Sequence, residues 1–300
     1  MSKICSLTEA VSSFVYDGDM VYAAGFTHLI PFAAGHEIIR QGRRDLVLAR
    51  ATPDIIYDQM TAAGCACKAI FSYMGNPGVG SLRIMRTEIE AGRLEFEEYS
   101  HFGTISRLQA GASGLPFIPM NQTGATDLEK NNPNYKRVVD PYTGREVIVL
   151  PPLNPDVAIV HVQRADARGN AQIWGIIGEQ KEAAFAAKHV ILSAEEIVDE
   201  SVIRSDPNRT IIPEFIVEAV CHVPYAAHPS YTQGYYDRDN DFYLEWDKIS
   251  ESREAVQAYL DEWVFGCPDR AAYWKKLGSA VHERLKVPPR PSVVVDYGEY

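Results

Sequence analysis

Two glycine-containing loops hold the residues of this 300-residue sequence that point most directly to ligand chemistry. Residues 75–81 read Gly-Asn-Pro-Gly-Val-Gly-Ser, between an apolar segment and a helical one. Glycine allows close backbone approach, and the first N–H groups of a following helix favour an anion. The loop has neither the Gly-Lys-Ser/Thr ending of a Walker A motif nor a dinucleotide-binding fingerprint. Two interpretations stay open: a tight turn, or a wall against a phosphate- or carboxylate-bearing ligand.

The second loop, Gly25-Phe26-Thr27-His28, follows the first apolar segment of the chain. Open α/β sheets place ligands at the carboxyl ends of their strands. Backbone N–H groups at such a point can stabilise an oxyanion. The plainer alternatives are a turn glycine at Gly25 and a hydrogen-bonded, non-catalytic histidine at His28.

An acidic cluster, Glu95, Glu97 and Glu98 with His101 nearby, lies further along the chain. It is either a solvated edge strand or a carboxylate that faces a site. The sequence has no Gly-x-Ser-x-Gly elbow and no His-Glu-x-x-His motif. Five cysteines without zinc-finger spacing predict reduced thiols and no metal site.

The elements that must position these loops alternate between strand and helix. Apolar strands are predicted at 20–26, 46–50, 68–74, 94–99 and 115–120, and helices at 32–41, 53–63, 82–91 and 102–112. Such repeated units predict an α/β fold, an open and mostly parallel sheet covered by helices on both faces. Thr52 is the expected N-cap of the second helix, with Pro53 in its first position. Asp54 and Asp58, one turn apart, are expected to face solvent.

The second half of the chain is expected to complete this single domain of residues 1–300. Residues 121–155 are polar, and 135–140 and 145–150 flank a Pro-Tyr-Thr-Gly turn, which predicts a surface β-hairpin insertion. Further strands are predicted at 156–162, 189–193 and 216–223, with a helix at 180–188. Residues 225–230 are expected to form a folded loop. A helical extension is predicted at about 235–287, with one helix over 250–265.

Composition excludes several classes of function. The net charge of −11 gives no support for a nucleic-acid partner. No uncharged apolar run is long enough for a membrane helix, and the N-terminus lacks the apolar core of a signal peptide. We therefore expect a cytoplasmic protein.

Many segments, in one order, resemble the α subunits of family I coenzyme A-transferases, best those of the glutaconate type and the 3-oxoadipate type. The resemblance runs almost end to end. The segments are Gly18-Asp19, Gly25-Phe26-Thr27, Ile38-Ile39-Arg40-Gln41-Gly42, Asn76-Pro77-Gly78-Val79, Ala112-Ser113-Gly114-Leu115-Pro116-Phe117, Ile173-Trp174-Gly175, Ala226-Ala227-His228-Pro229-Ser230 and Tyr236-Asp237-Arg238-Asp239-Asn240.

The resemblance implies a mechanism in which an acyl-CoA thioester is attacked by a glutamate of a β subunit, which then carries CoA as a glutamyl thioester. It implies no tightly bound cofactor, with coenzyme A and a small dicarboxylic acid as substrates. The implied assembly is a heterodimer, a heterotetramer or a larger heteromer with the β subunit. This chain would supply the other half of the site. The implied site residues are Phe26, Thr27 and His28 on the oxyanion side and Asn76, Pro77, Gly78, Val79 and Gly80 on the wall facing substrate or CoA.

The resemblance favours 3-oxoadipate over glutaconate, because apolar residues follow Thr27 where glutaconate-type subunits carry a longer basic stretch. Two alternatives stay open. One is a CoA-thioester or ring-cleaving hydrolase on the same scaffold, for which Glu98 and His101 are the candidate residues. In that branch a glutamate is expected near Glu98 to His101, and His101 stands at that point. The other is a non-catalytic effector-binding module, although no DNA-binding appendage precedes the sheet.

Overall fold

A sheet of nine strands organises the structure, a computed structural model that describes residues 2–76, 79–121 and 126–288. The strands of the chain are β1 (Met20–Ala23), β2 (Leu46–Ala49), β3 (Ala66–Phe71), β4 (Glu95–Glu98), β5 (Ile118–Met120), β6 (Lys136–Val139), β7 (Glu146–Leu150), β8 (Val157–Ala165), β9 (Ala171–Gln172), β10 (His189–Ile197), β11 (Thr210–Ile212) and β12 (Ala219–His222). Seven of them run parallel in the order β12-β10-β8-β1-β2-β3-β4. The short strands β9 and β11 add antiparallel pairs beside the far end of β8.

Helices follow most of the parallel strands. The α-helices are α1 (Leu7–Phe14), α2 (Phe32–Arg40), α3 (Ile55–Ala62), α4 (Arg83–Glu90), α5 (His101–Ala112), α6 (Leu128–Asn131), α7 (Gln180–Ala186), α8 (Glu200–Ser205), α9 (Asn240–Ile249), α10 (Arg253–Tyr259), α11 (Arg270–Leu277) and α12 (Ser279–Arg284). Single 3₁₀ turns occur at Pro207–Arg209 and Glu214–Ile216. In the part of the chain described, no helix is long and apolar enough to cross a membrane.

Each face of the sheet has its own apolar core. Val21 and Ala23 of β1 point into the core under α1 to α4, α9 and α10. Tyr22 and Ala24 point to the opposite core, which α5, α7 and the strands β5 and β7 cover. This alternation follows from the two-residue period of a strand. The predicted α/β fold, a mostly parallel sheet covered on both faces, is confirmed.

The polar insertion forms a second, three-stranded sheet in the order β5-β7-β6. The expected hairpin is confirmed as β6 and β7, which pair antiparallel from Val139↔Glu146 to Lys136↔Val149. The strand predicted at 115–120 is displaced: β5 pairs with β7 and does not extend the main sheet. An apolar run predicts that a segment is buried, and the partner strand depends on contacts remote in sequence.

The start of α3 differs from the expectation, because Asp54 and not Thr52 is its N-cap. Asp54 and Asp58 were expected to face solvent, and both are buried. Asp54 accepts a hydrogen bond from the Tyr243 hydroxyl (3.0 Å). Asp58 accepts hydrogen bonds from the Trp246 indole (3.2 Å) and the Met85 amide (2.8 Å). The two carboxylates thus attach the C-terminal helix α9 to the sheet.

The C-terminal extension is helical as predicted, through α9 to α12. The single helix expected over 250–265 is interrupted: α10 ends at Tyr259 and a π-helical turn, Leu260–Phe265, follows. Val256, Leu260 and Val264 are still buried on one side of the continuous segment. The apolar spacing therefore predicted the buried face correctly and missed the change in backbone hydrogen bonding.

Candidate functional site

The chain leaves β1 through a strained turn at the carboxyl edge of the sheet. Gly25, Thr27 and Leu29 have φ values of 133°, 55° and 57°. A Cβ added at Gly25 would lie 2.7 Å from the carbonyl oxygen of His28 and 2.8 Å from that of Leu29. Only glycine fits a turn that folds back so closely on itself. Positive φ at two non-glycine residues has an energetic cost and is typical of functional loops.

This turn, residues 25–29, presents unused hydrogen-bond donors and is called the β1 loop below. Within the described residues, the amide N–H groups of Phe26, Thr27 and His28 donate to no protein acceptor. The buried Thr27 hydroxyl also has no partner there. The sign of φ alternates along the loop, as it does in backbone nests that bind anions. The β1 loop therefore has the donors that an oxyanion requires.

The His28 side chain braces the β1 loop. It is fully buried, and its Nε2 accepts the amide N–H of Gln233 (2.9 Å) while its Nδ1 donates to the Ile176 carbonyl (2.9 Å). The Tyr231 ring packs at 4.6 Å between ring centroids. Burial lowers the pKa of His28 to about 4, so the imidazole is neutral near pH 7. Both ring nitrogens are occupied, which leaves only the backbone N–H of His28 to face a ligand.

Sequence reasoning missed Arg50, which supports the β1 loop from below. Arg50 follows β2, is buried, and donates from Nη2 to the Gly25 carbonyl. Its Nε and Nη1 have no partner in the described chain. Glu179, also buried, interacts electrostatically with Arg50, and its burial raises the pKa of the carboxyl. A buried arginine without a neighbouring carboxylate in the sequence gives no local signal of such a role.

The glycine loop after β3 closes on itself. The Asn76 amide donates to the Gly80 carbonyl (2.9 Å), and the Val79 amide donates to the Asn76 carbonyl (3.0 Å). Gly80 has φ 110°, and a Cβ there would lie 2.3 Å from Asp247 Oδ1 of α9. Pro77 and Gly78 lie outside the described residues. The loop follows the carboxyl end of β3, at the same edge of the sheet as the β1 loop, and its role against substrate or CoA stays a prediction.

The acidic cluster divides between an ion pair and the sheet edge. Glu97 pairs with Lys68 (2.6 Å between Nζ and Oε1) and accepts from the Tyr99 hydroxyl (2.6 Å). Glu98 is exposed at the end of β4. His101 begins α5, and its Nε2 lies 2.7 Å from the Thr52 hydroxyl. Burial lowers the pKa of His101. The ends of β2 and β4 thus contribute a hydroxyl–imidazole pair, while Glu98 makes no contact with it that the structure records.

Comparison with known proteins identifies close relatives over most of the chain. The family model "Coenzyme A transferase" matches residues 4–222. The corresponding subunit of 3-oxoadipate CoA-transferase from Pseudomonas knackmussii is 49% identical over 92% of this chain and 99% of that protein. The corresponding subunit of glutaconate CoA-transferase from Acidaminococcus fermentans is 37% identical over 96% of each. The solved structure of the latter enzyme matches with a TM-score of 0.92 over 98% of this chain and 99% of that chain, at 35% identity.

A more distant relative carries a different activity. The IpdA subunit of the cholesterol ring-cleaving hydrolase from Rhodococcus jostii is 25% identical over 80% of this chain and 84% of that protein. The family model covers far more than half of the chain, and two relatives above 30% identity cover almost all of it. The chain therefore belongs to the coenzyme A transferase family.

Proposed function

We propose that this chain is the α subunit of a CoA-transferase that moves CoA between an acyl-CoA and a dicarboxylic acid. The observation that carries the proposal is the set of unused amide N–H groups at Phe26, Thr27 and His28, at the carboxyl edge of the sheet. Acyl transfer from a thioester passes through tetrahedral intermediates, whose negative oxygen needs such donors. Each donor contributes roughly 3 kcal/mol to the barrier in sites of this type.

The nucleophile in the proposed reaction is a glutamate of the partner β subunit. Its carboxylate oxygen attacks the thioester carbonyl, the C–S bond breaks, and an anhydride and CoA thiolate result. The thiolate attacks the glutamyl carbonyl of the anhydride and releases the free acid as a carboxylate. The acceptor acid then reverses both steps. Division of one exchange into two covalent steps lowers the barrier of each.

This chain's part is to hold charge and to exclude water. The β1 loop would receive the oxyanion of each intermediate, and the loop at Asn76, Val79 and Gly80 would form the wall facing substrate or CoA. Exclusion of water matters because the anhydride and the glutamyl thioester both hydrolyse readily. Coenzyme A enters as a substrate, and no tightly bound cofactor is needed for these steps.

A partner would complete the site from the carboxyl edge. Tyr73 after β3, Phe102 in the first turn of α5, and Ile176 and Ile177 beside the β1 loop are 40–60% exposed. Exposed apolar side chains grouped near a site are typical of a protein interface. The β subunit would cover them, in a heterodimer, a heterotetramer or a larger heteromer.

The favoured acid is 3-oxoadipate, with glutaconate next. The support is the 49% identity to a protein of the 3-oxoadipate enzyme, against 37% for its counterpart in the glutaconate enzyme. The apolar residues after Thr27, Leu29 to Pro31, add to that support. Comparison of kcat/KM for the two acids, at one fixed acyl-CoA concentration, tests the assignment. A preference for glutaconate would reverse it.

The decisive experiment combines this chain with its β subunit. The chain alone should be inactive, and the complex should form a new CoA ester from an acyl-CoA and a dicarboxylate. Borohydride added with acyl-CoA should modify one β-subunit glutamate and stop turnover, and the acceptor acid should protect it. Release of free acid and CoA without an acceptor, and with no trapped thioester, would instead indicate the hydrolase. In that case His101 and Thr52 would be the first residues to substitute.

A further inference from the structure

The direction of the free amides in the β1 loop is set by the carbonyl groups on the same peptide units. A trans peptide is planar, and its C=O and N–H point in opposite directions. A side chain that binds the carbonyl of one residue therefore also orients the N–H of the next residue. Two side chains, from elements remote in sequence, bind carbonyls of this loop.

The first is Arg50, whose Nη2 donates to the carbonyl of Gly25. That carbonyl shares its peptide unit with the N–H of Phe26. Because Arg50 is buried beneath the loop, the Gly25 carbonyl is held inward and the Phe26 N–H is turned the other way. A guanidinium is well suited to this position, since its fork of donors is rigid and permanently charged.

The second is Ser230, whose hydroxyl donates to the carbonyl of Thr27 (2.9 Å). That carbonyl shares its peptide unit with the N–H of His28. Ser230 is itself fully buried, and the segment around it is fixed to the sheet by Glu195. The Glu195 carboxylate accepts the Tyr225 amide (2.8 Å) and the Tyr236 hydroxyl (2.8 Å), on either side of Ser230.

We propose that Arg50 and Ser230 are positioning residues that aim the N–H groups of Phe26 and His28 at the oxyanion. The inference rests on the proposed function, because it assigns a purpose to the donors on which that function depends. Neither side chain touches the reacting atoms. Their contribution is preorganisation, which lowers the barrier because the donors need no rearrangement as charge develops.

The test is Ser230→Ala in the complex with the β subunit, because this change removes one hydroxyl and no apolar volume. We expect kcat to fall about 10-fold or more while KM for the acyl-CoA stays within about twofold, since only a transition-state interaction is weakened. The rate of borohydride trapping should fall with kcat. Thr61→Ala is the matched control: Thr61 is buried, its hydroxyl donates to the Tyr57 carbonyl (2.7 Å), and it lies near the end of α3.

Arg50 provides an independent arm. Arg50→Met should lower kcat in the same way, and Arg50→Lys should restore part of it, because an ammonium can still bind the Gly25 carbonyl. Normal kcat in Ser230→Ala, or equal changes in kcat and KM, would overturn the positioning role and leave CoA transfer by the wild-type complex intact. Loss of activity in Thr61→Ala equal to that in Ser230→Ala would also overturn it. A wild-type complex without any transfer refutes the proposed function itself, and this inference with it.

Discussion

Substitution of Gly25 by alanine tests whether the shape of the β1 loop matters for both stability and chemistry. The new Cβ would lie 2.7 Å from the His28 carbonyl oxygen and 2.8 Å from that of Leu29, at a φ of 133°. Backbone strain of about 1–3 kcal/mol adds to steric overlap of about 1–3 kcal/mol. Because both contacts are with backbone of the same loop, no side chain can rotate away. We expect a loss of unfolding free energy of about 2–6 kcal/mol.

The matched control is Gly42→Ala, at a positive φ of 65° with no atom within 4 Å of the added Cβ. It should cost about 1–2 kcal/mol, the ordinary penalty for a left-handed alanine. Urea unfolding of each variant gives the stability, and steady-state transfer by the complex gives kcat. A shift of the amides by about 1 Å should lower kcat about 100-fold in Gly25→Ala alone. Equal stability losses in the two variants, with normal kcat in both, would refute the steric reasoning.

Two further predictions concern the pH dependence of stability, measured as the unfolding free energy of variant and wild type across pH. Burial raises the pKa of Asp58 to about 7, so the folded chain holds a proton that the unfolded chain releases near pH 4. Wild-type stability therefore declines from about pH 4 to 7 through this group, and Asp58→Asn should gain relative to wild type over that range. Burial lowers the pKa of His28 to about 4, so the unfolded chain binds a proton first as the pH falls. His28→Gln should therefore lose its deficit relative to wild type between about pH 6.5 and 4, and a constant difference would contradict the neutral, buried assignment.

The sequence alone was sufficient for the family, the sheet and the location of the two loops. Short apolar runs that end in Gly or in polar residues are local signals, and they predicted β1, β2 and β3 to within a few residues. The parallel arrangement followed from the alternation of strands with helices. The hairpin of β6 and β7 followed from its turn residues. The proline and glycine of that turn act locally, so the prediction did not depend on the rest of the chain.

Tertiary structure alone decided which polar groups are buried and what they hold. The spacing of Asp54 and Asp58 predicts a solvent-facing pair, yet α9 covers both, because their donors Tyr243 and Trp246 lie 189 and 188 residues away. Ser230 meets the Thr27 carbonyl across 203 residues. A polar side chain carries no periodic signal for its partner, and the free energy of burial depends on whether that partner arrives. The candidate loop is therefore visible in the sequence, and the contacts that shape it are set only by the fold.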